Sequence, residues 1–132
     1  MPTNPVVWFE IYVQDMPRAK AFYEAVLGQT LEPLPAPEGD GADGTLEMLT
    51  FPGDMHGGGA NGALVRMEGV GSAGEGMGTM VYFHCDDCAI PAGRVVEAGG
   101  RLHKEKMSIG QYGHIALAWD TEGNMIGFHS MA

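Results

Sequence analysis

Short apolar stretches, each bounded by Gly, Pro, Asp or Asn, recur along the chain, and their internal periods differ. Residues 6–13 (VVWFEIYV) are rich in Val, Ile and aromatics and predict a strand. Asp15 closes that stretch and is suited to cap a helix, with Pro17 tolerated in the first turn. Ala19, Phe22, Tyr23, Val26 and Leu27 then recur at i, i+3, i+4, i+7 and i+8, which is one apolar face of a helix ended by Gly28. TLEPL (30–34) and TLEMLTF (45–51) predict the next two strands, with a Pro-, Gly- and acid-rich loop at 35–44. A second loop, 52–62 (PGDMHGGGANG), precedes a fourth strand at 63–67 (ALVRM).

After a Gly-rich linker at 69–78, the order starts again. TMVYFHC (79–85) predicts a strand, Asp86 and Asp87 offer caps, and a helix is expected to run to Ala98 before Gly99-Gly100. RLHKE (101–105), HIALAWD (114–120) and MIGFHS (125–130) predict three further strands. Asp15 and Gly28 lie 13 positions apart, and so do Asp86 and Gly99. With a shift of 71 residues, Tyr12 meets Phe83, Ala21 meets Ala92 and Leu31 meets Leu102. The expectation is an α+β fold of two βαβββ modules, 4–68 and 79–132, in one domain spanning 1–132. Pairing two twisted half-sheets makes a cup-shaped, partly open, barrel-like sheet with the helices outside, and the concavity suits a small molecule.

Charge narrows the partners. Seven Lys+Arg against 17 Asp+Glu give a formal net charge of −10, which repels phosphate backbones and anionic lipid. Nucleic acid and membrane surfaces are therefore not expected. No run approaches the ~18 apolar residues of a membrane helix. The N-terminus shows no basic stretch followed by an apolar one, so a cytoplasmic location is expected. Cys85 and Cys88 are spaced C-x-x-C, half of a zinc site without its other half, and read as two reduced thiols at a strand-to-helix junction. The Gly-rich stretches lack G-x-G-x-x-G and G-K-[ST] and are not phosphate cradles.

FEIYVQDMPRAKAFYEAVLG (9–28), EAGGRL (97–102) and DTEGNMIGFHS (120–130) resemble the glyoxalase / bleomycin-resistance / ring-cleaving dioxygenase superfamily, the vicinal oxygen chelate proteins. The resemblance runs over nearly the whole chain in the expected order. It implies the fold, while the superfamily's activities range from lyases and epimerases to dioxygenases and drug-sequestering proteins. It also implies a homodimer. In the superfamily's enzymes, a divalent ion is held by His, Gln or Glu on the first and fourth strand of each module. Carried over, those positions fall on Trp8, near Gly62 or Ala63, on Met80 and on Gly127, none of them an oxygen or imidazole ligand. No metal or other cofactor is therefore expected, with bound Ni, Zn, Mn or Fe as the alternative. The run YGHIALAWD (112–120) is similar to the surroundings of a metal histidine in glyoxalases, but it directly precedes DTEGN, which makes it the seventh strand and His114 structural or peripheral.

Strand alternation then selects the residues that face the cup. If Trp8, Met80 and Gly127 face inward, so do Glu10, Tyr12, Tyr82, His84, Met125 and His129. The ligand-binding candidates are Trp8, Tyr12, Met80, Tyr82, Met125 and His129, an aromatic and Met-rich lining. Glu10 and His84 are the candidate catalytic pair, since a carboxylate buried in an apolar strand should have a raised pKa suited to a base. A Glu10 in a buried salt bridge, or a structural Glu10 hydrogen-bonded to Tyr82 or a His, is the competing expectation. Glu10, His84 and His129 as a displaced metal site is a further alternative, and His56 is a candidate lid residue. Three functions remain open. They are a metal-free binder of a small, partly aromatic molecule, a metal-dependent lyase or isomerase of glyoxalase type, and a metal-free acid/base enzyme using Glu10 and His84.

Overall fold

A computed structural model describes residues 4–35, 46–54, 58–67 and 78–132. His56 and most of the expected linker at 69–78 lie outside the described residues. The first strand, β1 (Val6–Tyr12), is followed by helix α1 (Met16–Leu27) and strands β2 (Glu32–Leu34), β3 (Glu47–Thr50) and β4 (Asn61–Arg66). The second half repeats the order with β5 (Thr79–His84), α2 (Ala89–Ala92), β6 (Arg101–Ser108), β7 (His114–Trp119) and β8 (Met125–Ser130). A 3-10 turn, Gly110–Tyr112, links β6 to β7.

The eight strands form one sheet in the order β2-β3-β4-β1-β5-β8-β7-β6. Each half has the same arrangement, because β1 runs parallel to β4 and β5 runs parallel to β8. The halves join through β1 and β5, which pair antiparallel with Glu10 opposite Met80 and Trp8 opposite Tyr82. The repeat read from the sequence is thus realised as a paired repeat about a central seam.

Helix α1 forms as its signals predict. Asp15 Oδ1 accepts from the Arg18 backbone N–H, and Gly28 closes the helix in the left-handed conformation, φ 68°. The packing of its apolar face departs from the simple stripe. Met16, Ala19 and Tyr23 pack on the outer side of the sheet with Leu31, Leu49 and Leu64. Phe22, Val26 and Leu27 stay 58%, 64% and 50% exposed. Burial of a side chain such as Leu31 or Leu64 contributes about 1.5–3 kcal/mol.

The second helix corrects the sequence expectation. It spans four residues, and the chain to Ala98 continues as turns held partly by i→i+3 bonds such as Arg94 to Pro91 and Gly99 to Val96. Pro91 supplies no N–H, and Gly93 with Val95 and Val96 propagates a helix poorly. Asp87 still acts near the junction: its Oδ1 accepts from the Ala89 N–H and pairs with Lys106 Nζ at 2.8 Å. Behind this turn Cys88, Ala92 and Ala116 are buried with Cys85, Leu102 and Phe128, and both cysteines are free thiols. Burial pushes the Cys85 thiol up, away from the reactive thiolate form. His114 begins β7, as read from the sequence.

Candidate functional site

Alternation places one set of side chains on the concave face. Trp8 and Tyr12 of β1 pack with Met80 and Tyr82 of β5, Met125 of β8 and Ile115 of β7. The same two β1 aromatics also pack against Met48, Ala63 and Val65 of the first half. Five of the six expected lining residues therefore come together, and Met80 and Tyr82 are only 3% and 6% exposed. Met48 and Ile115 belong to this wall but were not singled out from the sequence. Their signal was the two-residue period of β3 and β7, which fixes a face only once one residue's orientation is known.

Glu10 lies at the seam, where β1 and β5 meet. Tyr12 Oη donates to its Oε1 at 2.6 Å, Tyr82 Oη donates to the same oxygen at 3.2 Å, and Trp8 Nε1 donates to Oε2 at 3.1 Å. Residues 8, 10 and 12 share a strand face, so Trp8 and Tyr12 reach Glu10 from either side, while Tyr82 reaches it across the seam. Burial raises the Glu10 carboxyl above its ordinary range, and the three hydrogen bonds partly oppose that rise. The Tyr12 and Tyr82 hydroxyls are themselves pushed up, first by burial and then by the neighbouring carboxylate. Both therefore stay protonated and act as donors. The expected hydrogen bond from Tyr82 to Glu10 is present, with Trp8 and Tyr12 in addition.

The histidines keep the parity of this face, His129 opposite Ile115, but lie further along their strands. Glu10 pairs with Met80, and His84 lies four residues further along β5, about 13 Å at strand spacing. His84 is exposed at the strand end, so the structure does not bring the Glu10–His84 pair together. His129 is a well-anchored strand residue beside His84, and its Nε2–H donates to the Tyr112 carbonyl at 2.6 Å. Tyr112 in turn donates from its hydroxyl to the Pro35 carbonyl at 2.9 Å, a link between the two outer ends of the sheet. Among the described residues, no three His, Cys, Asp or Glu side chains gather so as to hold a metal ion, which includes Glu10, His84 and His129.

The four positions that the resemblance assigns to metal donors can be tested against this geometry. Ala63 pairs with Glu10 and belongs to the concave wall, whereas Gly62 lies under the Phe9 ring on the outer face. Gly127 pairs with Tyr82, and any Cβ at Gly127 would collide with the Tyr82 ring. Trp8 offers only an N–H donor, already used by Glu10, and Met80 offers a thioether. This donor set does not fit a hard or borderline divalent ion. A separate hollow of 490 Å³ opens on the outer face between α1 and β4, lined by Phe9, Tyr23 and Phe51 among others. Of the site positions singled out from the sequence it contains only Gly62.

Residues 6–39 match the family model described as Bleomycin resistance protein-like N-terminal. No curated protein sequence matches the chain. Among solved structures, a variant of Streptomyces coelicolor methylmalonyl-CoA epimerase in complex with 2-nitronate-propionyl-CoA is similar at 19% identity, covering 99% of each chain with a TM-score of 0.66. The methylmalonyl-CoA epimerase of Mycobacterium tuberculosis is also 19% identical, covering 98% of this chain and 89% of its own, TM-score 0.66. A hypothetical protein from Bacillus halodurans C-125 is 14% identical, covering 98% and 95%, TM-score 0.68. The chain thus has the vicinal-oxygen-chelate fold of the glyoxalase / bleomycin-resistance superfamily, and its first module carries the match to the bleomycin-resistance-protein-like family.

Proposed function

We propose that this protein binds a small, partly aromatic molecule on its concave face without a metal ion. The observation that carries the reading is the Glu10 cluster. A carboxylate held by Trp8, Tyr12 and Tyr82 stands among aromatic and Met side chains, beside the positions that the resemblance assigns to metal donors. An apolar wall with one oriented polar group is what a small-molecule site needs. The solved epimerases bind CoA esters, which supports a small-molecule ligand here as well. A net charge of −10 argues against carrying over the phosphate-rich CoA portion itself.

A second reading has one observation in its favour. Burial raises the Glu10 carboxyl, and a raised carboxyl makes a better proton acceptor at neutral pH. In that reading Glu10 alone acts on the substrate, since His84 lies along the strand and out of reach.

Elemental analysis and chelation separate these readings from a metal enzyme. Protein purified without a His tag is expected to carry divalent metal far below one equivalent. Aromatic solutes should change Trp8 fluorescence in a Trp119→Phe background equally with and without EDTA. Stoichiometric metal, or binding abolished by EDTA, overturns the proposal. Turnover that survives EDTA but is lost in Glu10→Gln would favour the acid/base reading.

A further inference from the structure

Ionised, Glu10 carries a charge that no described residue compensates. Its three partners are neutral donors, and among the described residues no Lys, Arg or His pairs with it. Neutral hydrogen bonds soften the cost of burying a carboxylate, but they do not cancel its charge. The two oxygens are also unequally used. Oε1 accepts from both tyrosines, whereas Oε2 accepts only from Trp8. Since each carboxylate oxygen has about two lone-pair sites, Oε2 retains one for a donor from outside the chain.

The surroundings of that oxygen disfavour a second anion. Trp8, Tyr12 and Tyr82 turn their N–H and O–H edges to the carboxylate, and Met80 and Met125 add polarisable thioethers beside them. An anion meets repulsion here from the carboxylate. The chain's net charge of −10 adds a long-range field of the same sense.

We infer that the concave face takes an organic cation, an ammonium or guanidinium with an apolar or aromatic body, whose N–H or charged head meets Glu10 Oε2 between Trp8, Tyr12 and Tyr82. This rests on the concave-face binding proposed above and narrows its ligand class. The body lies along Met125, and the head supplies the positive charge that Glu10 lacks.

Three probes of one size and different charge test it: phenethylammonium, phenethyl alcohol and phenylacetate. The readout is the indole N–H signal of Trp8 by NMR in a Trp119→Phe background, which leaves one of the chain's two tryptophans. Phenethylammonium is expected to bind about tenfold or more tightly than the alcohol, with phenylacetate the weakest. Glu10→Gln should bring the ammonium down to the level of the alcohol. Equal affinity for ammonium and alcohol, or a preference that persists in Glu10→Gln, overturns the cation and leaves the binding face intact. If no probe of any charge moves the Trp8 signal, the binding face itself fails. The ranking of the three probes on protein with Glu10 intact decides the matter even if Glu10→Gln does not fold.

Discussion

The ring of Tyr82 lies directly over the Cα of Gly127, its partner in the β5–β8 ladder, so closely that a side chain at Gly127 has nowhere to go. The bare backbone of Gly127 is what lets Tyr82 lie flat enough to reach Glu10.

Gly127→Ala is therefore expected to destabilise the fold by about 1–3 kcal/mol through overpacking. Adding Tyr82→Ala should relieve part of that cost, so that the double variant is more stable than the sum of the single losses predicts. Urea denaturation of the four proteins checks this. Strict additivity would mean that the two side chains do not compete for the same space.

The two tyrosines are unequal donors. Tyr12 is 2.6 Å from Glu10 Oε1 and Tyr82 is 3.2 Å from it. Tyr12→Phe should therefore cost more than Tyr82→Phe, about 1–3 kcal/mol for a bond to a buried carboxylate. Thermal melts at neutral pH give the ranking. The reverse order would contradict the geometry of the cluster.

Glu10 also sets a pH dependence. Burial raises its carboxyl above the ordinary value of 4.5, so the folded chain holds the proton more tightly than the unfolded chain. Below that value both states are protonated and the group costs nothing. As pH rises above it, the unfolded chain ionises first and stability falls, until the folded carboxyl has ionised too. Glu10→Gln stays neutral throughout. Its stability relative to the parent chain should thus increase with pH above about 4.5. Paired denaturation curves from pH 4 to pH 8 test the sign, and a difference that shrinks with rising pH would refute it.

The Tyr112–Pro35 bond joins the 3-10 turn before β7 to the end of β2. It is exposed, so Tyr112→Phe should cost less than about 1 kcal/mol. Its expected effect is on access. With Trp119→Phe present, acrylamide should quench Trp8 more efficiently in Tyr112→Phe than in its parent. Unchanged quenching would show that the link does not guard the concave face.

Much of this was legible in the residues. Asp15 and Gly28 marked both ends of α1, and the spacing from Asp86 to Gly99 disclosed the repeat, because caps and punctuating glycines act locally. Alternation from Trp8, Met80 and Gly127 correctly placed Trp8, Tyr12, Met80, Tyr82 and Met125 on one face. What alternation does not carry is position along the strand. His84 has the inward parity but sits at the exposed end of β5, and only the β1–β5 register reveals its separation from Glu10. The hold of Trp8 and Tyr12 on Glu10 follows from i±2 neighbours on a strand, yet which rotamers close the bonds depends on packing across the seam. Helix α2 fell short of expectation because Pro91 and Gly93 outweighed the favourable ends.

The seam between β1 and β5 has a consequence for either half taken alone. Each half-sheet ends on one side in a strand whose backbone groups are met only by the other half. Cut apart, each would present a raw hydrogen-bonding edge next to an uncovered aromatic wall, the combination that drives chains to zip onto copies of themselves. Fusion in one polypeptide supplies each edge with its match at high local concentration, before a stranger can find it.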